Sequence, residues 1–153
     1  MTLVVAPLLL SLTLAAGLEQ TKPDFSGKWT KIPTSPGEAV ETMTISQTAD
    51  TLTTETQRPH GVVRWVQKLD GSESRNVIKQ AKAKPPMESV QVSTTTWDGD
   101  SLVTRTPIPD YHPAPIVLTT VTRLEGTTLV IQVTQTSEAT GAVQNQHTFR
   151  YSK

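Results

Sequence analysis

The chain has 153 residues, in which 14 Lys and Arg balance 14 Asp and Glu. That is the length of one domain, with no net field to draw it onto nucleic acid or an anionic membrane surface. Cysteine is absent, which excludes disulfides, thiolate metal sites, a Cys nucleophile and lipid attachment at an N-terminal Cys.

From Leu3 to Leu18 the chain is uncharged and rich in Leu, Val and Ala, then turns polar at Glu19-Gln20. The run is shorter than the ~20 residues of a spanning helix. Pro7, Ser11 and Thr13 interrupt it, and small residues cluster at Ala15-Ala16-Gly17. The spacing predicts a signal peptide over residues 1–17 and a mature domain over 18–153. The expected location is the periplasm or the medium, as a protein that is not a lipoprotein and has no stable membrane insertion of its mature chain.

Beyond the leader, short Thr-rich segments alternate between apolar and polar residues, as half-buried strands do. They predict strands near 25–32, 40–48, 51–57, 62–69, 87–97, 101–107, 116–124, 127–136 and 143–151. Asp70-Gly71, Asp98-Gly99-Asp100, Glu125-Gly126 and Thr140-Gly141 punctuate them, and Gly in such pairs supplies the positive φ of a tight hairpin. Sequential hairpins imply an antiparallel meander. Closing it into a single up-and-down β-barrel of about eight to nine strands is the economical way to remove exposed edges. Trp97-Asp98-Gly99-Asp100-Ser101-Leu102-Val103 and Leu124-Glu125-Gly126-Thr127-Thr128-Leu129-Val130 share a pattern that two hairpins of one turn type explain without duplication.

Two stretches break the alternation. Residues 72–86 carry a basic run that ends at Pro85-Pro86, and are expected to form a loop with room for one helical turn. Residues 107–115 contain four prolines, each lacking a ladder donor, and are expected to lie outside any central strand. Both are expected at the ends of the barrel.

Catalytic signals are few. His60, His112 and His147 are far apart and lack metal-ligand spacing, so no metal or other cofactor is expected. Asp98 and Asp100 flank a Gly, where Asp favours turn formation over acid–base work. There is no Gly-x-Ser-x-Gly elbow, phosphate-cradling Gly loop or aromatic RNA-binding strand. The chain is therefore not expected to be an enzyme.

The candidate binding residues are Trp65, Trp97, Tyr111, His147, Arg150 and Tyr151. The three tryptophans, Trp29, Trp65 and Trp97, all fall on predicted strands. Gly27 and Trp29 share one face of the first strand, and Gly27 admits a close backbone neighbour. Arg150 on the last strand is expected beside the first, stacked on Trp29 as a cation–π pair that closes the barrel. Arg150 and Tyr151 are adjacent, so only one of them can face the interior.

Phe25-Ser26-Gly27-Lys28-Trp29, with an Arg near the end of the last strand, resembles the Gly-x-Trp and closing-Arg pair of lipocalins and their calycin relatives. The Leu69-Asp70-Gly71 and Trp97-Asp98-Gly99 turns, the latter followed by Leu102-Val103, are similar to small secreted bacterial lipocalin-like proteins. The resemblance is scattered over residues 24–151. It implies a lipocalin-like barrel and a secreted, non-enzymatic protein that binds a small hydrophobic or amphipathic ligand. The fatty-acid-binding branch often ends in Arg-x-Tyr, whereas Arg150 and Tyr151 have no residue between them. The alternative is a filled barrel that presents loops 72–86 and 107–115 to a protein partner.

Overall fold

The computed structural model describes residues 21–58, 61–80 and 87–153. The apolar leader, His60 and the segment 81–86 lie outside the described residues. Ten antiparallel strands follow one another: β1 (Gly27–Lys31), β2 (Thr42–Gln47), β3 (Thr51–Arg58), β4 (Gly61–Lys68), β5 (Glu73–Gln80), β6 (Met87–Asp98), β7 (Ser101–Ile108), β8 (Ile116–Glu125), β9 (Thr128–Ser137) and β10 (Val143–Ser152). They make one sheet in the order β4-β3-β2-β1-β10-β9-β8-β7-β6-β5. The first and last strands pair, with Lys31 opposite Tyr151 and Thr30 opposite Ser152.

The sheet is not closed into a barrel, and the strand count exceeds the expected eight to nine. Its ladder ends at β4 on one side and β5 on the other. Three side-chain hydrogen bonds span that seam. Asn76 Oδ1 accepts from Val66 N–H at 2.8 Å and Asn76 Nδ2 donates to Val66 O at 3.0 Å, while Ser74 Oγ accepts from Lys68 N–H at 2.8 Å. A side-chain amide presents the same donor and acceptor as a peptide group. Asn76 thus satisfies part-buried β4 backbone that has no laddered strand on this side.

β5 occupies residues expected to be loop. Its inward positions are Ser74, Asn76 and Ile78, of which Ser74 and Asn76 are buried. Because seam-bonding polar groups stand where apolar ones ordinarily mark a strand, the period-2 pattern is hidden. Pro107 also falls inside a strand, opposite Val117 on β8. β6 pairs with β7 only from Thr94 opposite Arg105 to Asp98 opposite Ser101. The missing N–H of Pro107 therefore interrupts no ladder on the β6 side. The connecting loop is shortened to 109–115.

The buried apolar cluster gathers Phe25, Trp29, Met43, Ile45, Leu52, Leu69, Leu102, Leu129 and Tyr151. In a meander the connections alternate ends, so the turns after β2, β4, β6 and β8 surround this cluster together with residues 21–26. Two of them are two-residue turns: Asp98 pairs with Ser101 and Glu125 with Thr128, with Gly99 at φ +55° and Gly126 at φ +61°. Residues 21–26 cross this end as a plug. Gln47 Oε1 accepts from Phe25 N–H at 3.0 Å, Gln47 Nε2 donates to Pro23 O at 2.9 Å, and Ser26 Oγ accepts from Gln47 N–H at 3.1 Å. Phe25, fully buried, stacks on Trp97 with ring centroids 5.9 Å apart.

Ser93, opposite Ser74 on β6, has a buried hydroxyl with no hydrogen-bond partner. An unpaired buried polar group costs about 1–3 kcal/mol, and the same penalty falls on β4 if its partner is removed. Asn76→Ala is expected to lower unfolding free energy by roughly 2–3 kcal/mol and to speed amide exchange at Val66. Ser93→Ala is expected to be neutral or stabilising. Denaturant melts of the two variants, with exchange read residue by residue, check both outcomes.

Candidate functional site

A cavity of about 350 Å³ lies against the inner face of the sheet. β2, β3, β9 and β10 supply its apolar wall through Met43, Ile45, Leu52, Ile131, Val133 and Phe149. Thr54, Thr56, Gln67, Thr120 and Thr122 supply hydroxyls and an amide, and Trp65 an indole. Among the described residues none of β5, β6 or β7 lines it. On that side the interior is filled: Gln67 Nε2 donates to Thr104 Oγ1 at 2.9 Å, and Thr104 and Thr95 hydroxyls are 2.9 Å apart. The cavity lies above the buried apolar cluster, toward the end that carries the connections β1–β2, β3–β4, β5–β6, β7–β8 and β9–β10.

Charge enters through Lys31 and Glu41, which bracket the β1–β2 connection and both line the cavity. Their backbones are paired, Lys31 N–H donating to Glu41 O at 2.9 Å. Lys31 Nζ lies 5.1 Å from the Phe149 ring centroid and forms an ion pair with Glu38, both side chains being largely buried. Glu38 Oε2 also accepts from Thr34 N–H at 2.8 Å and Thr34 Oγ1 at 3.0 Å. The Lys31 contact first, then the Thr34 amide and hydroxyl, pull the Glu38 carboxyl down to about 2. Tyr151 OH donates to Glu41 Oε1 at 3.2 Å.

Two of the six candidate residues reach the cavity, Trp65 and Tyr151. Trp97 lies at the opposite, plugged end, with Lys22 Nζ 5.3 Å from its ring centroid. Tyr111 is exposed in loop 109–115. His147 shares the inward alternation of Phe149 and stacks on it at 6.2 Å, but is exposed and does not line the cavity. Arg150 points to the outer face, its Nη1 2.7 Å from Glu125 Oε2, beside an Arg123 bond to Glu125 Oε1 at 2.8 Å. Val130, the register partner of both arginines, is fully buried on that outer face.

The closing arrangement at Trp29 accordingly differs from the expected one. The indole is buried in the cluster and Nε1–H donates to Phe25 O at 2.9 Å. The cation over its face is Lys153, 4.9 Å from the ring centroid, in the place expected for Arg150. Gly27 is needed for its φ of +140°, which L side chains rarely adopt; a Cβ there would meet only the flexible Lys153 side chain, Cε at 2.9 Å, where a close backbone was expected.

Lys31, Glu38, Glu41 and Gln67 escaped the sequence reading. The first offered a signal, since Lys31 continues the inward alternation of Gly27 and Trp29. Among the described residues no three potential metal ligands come together. No family model matches the chain, and no curated protein is similar to it.

Glu38 ionises well below the ordinary carboxylate value of 4.5, so its contacts stabilise the fold above that value and are lost as pH falls toward about 2. Glu38→Gln is expected to lower the melting temperature at neutral pH, and the gap from the unaltered protein should narrow between about pH 5 and 2. Paired thermal melts across that range provide the check.

Proposed function

We propose that the protein is an exported, lipocalin-like binding protein that carries a small amphipathic molecule in its inner cavity, without catalysing a reaction on it. The observation that carries this reading is the cavity of about 350 Å³, where apolar residues of β2, β9 and β10 are flanked by hydroxyls and an amide from β3, β4 and β8. That size falls in the range of roughly 300–1,000 Å³ typical of small-molecule sites. Uniform apolar lining would suit a hydrocarbon; the threonines, Gln67 and Tyr151 suit a ligand that also carries polar groups. The leader-like residues 1–17 and the absence of cysteine support export and argue against a lipid anchor.

A neutral fluorescent probe, N-phenylnaphthylamine, is expected to bind the purified protein with one-to-one stoichiometry. Val133→Trp fills the cavity and is expected to weaken binding at least about tenfold, as loss of a ~1.4 kcal/mol contact would, with unchanged circular dichroism. Failure of the probe to bind, or equal binding by the filled variant, would exclude the cavity as the site.

The exposed valines favour a second reading, as a protein-interaction module. Val62 on β4, Val77 on β5 and Val90 on β6 are 58%, 48% and 56% exposed, close to the connections 59–60 and 81–86. Val77→Lys with Val90→Lys is expected to abolish partner capture under this reading and to leave probe binding unchanged.

A further inference from the structure

The charges at the cavity do not cancel. Among the described residues Lys31 is the one cation lining it, and Glu38, held in place by two hydrogen bonds from Thr34, already neutralises that ammonium. Glu41 lines the same cavity and has no ion-pair partner among the described residues. Its hydrogen bond from Tyr151 OH stabilises the carboxylate without supplying charge. The three groups therefore leave one negative charge in excess beside the cavity.

An anionic ligand would add to that excess. A cation would remove it, in a place where burial weakens solvent screening. The walls are suited to the same ligand: Trp65 and Tyr151 line the space with Glu41, and aromatic faces attract cations through their quadrupole. Phe149 already takes the Lys31 ammonium over its ring at 5.1 Å. Ile131 and Val133 offer an apolar surface for the remainder of the molecule.

We propose that the cavity selects a small organic cation, an amine or quaternary ammonium on an apolar body, with Glu41 as its counter-ion and Trp65 as an aromatic wall. This rests on the cavity being the binding site. Lys31 acts as the opposing charge that keeps the site from holding free inorganic cations, since Glu38 and Glu41 are both acids within one short connection.

Calorimetric titration of the purified protein with naphthylmethylamine, naphthylmethanol and naphthylacetate at neutral pH separates the possibilities, because the three share one apolar body. The amine is expected to bind roughly 5- to 10-fold more tightly than the alcohol, as a partly buried charge contact provides, and the acid more weakly than either. Glu41→Gln should bring the amine down to the alcohol and leave the alcohol unchanged. Lys31→Met leaves Glu41 in place and removes the competing cation, so it should raise amine affinity. An amine no better than the alcohol, or an amine advantage that survives Glu41→Gln, would overturn the assignment, as would amine affinity that does not rise in Lys31→Met. If none of the three compounds binds, the cavity reading itself fails; if the alcohol binds and the amine shows no preference, only the cation assignment does.

Discussion

The seam between β4 and β5 is the constraint on which the remaining architecture depends. Ten strands curve far enough to bring the two edges together, yet no ladder joins them. Val66 would otherwise leave an unpaired donor and acceptor in a part-buried seam. The Asn76 amide supplies both partners, and Ser74 supplies one for Lys68. Neither aspartate nor leucine could replace Asn76: the former lacks the donor and the latter both groups. The identity of one inward residue thus decides whether ten strands can enclose a space.

The same device recurs at the plugged end. Gln47 offers a donor and an acceptor to a segment that is not a strand, holding Pro23 and Phe25 across the buried cluster. The interior is consequently graded. Apolar side chains fill the plugged end; above them lie threonine hydroxyls and Gln67, and beside the β1–β2 connection stand Lys31, Glu38 and Glu41. Polar groups are costly inside unless they bond one another or remain accessible. Thr95, Thr104 and Gln67 do the first, and the cavity hydroxyls face an open space.

Most strands were legible because their apolar faces point toward that core. Leu102 and Leu129, each following a Gly turn, are both buried, and the pairing of first and last strands follows from the two ends of the sequence. β5 was hidden because its inward residues serve the seam in place of the core. Arg150 was misplaced because adjacent strand residues face opposite sides, and Tyr151 takes the inward position. Of the cavity, Trp65 and Tyr151 were foreseeable as large residues on strands. Lys31 and Glu41 were not, since a charge at a strand end ordinarily faces water, and only the fold brings these two to the inner wall.

Residues 87–93 of β6 have no β7 partner, and β5 is tied to β4 by side chains alone. Val77 and Ile78 of β5, with residues 88–93 of β6, are therefore attached along neither flank by a continuous ladder. Such a segment opens at a lower free energy than strands laddered on both sides. Opening of these residues is expected to hinge near Thr94, where the β5 and β7 ladders meet. Breathing of the molecule should therefore begin at these strand residues and run along the seam, while the β8–β9–β10 wall stays rigid.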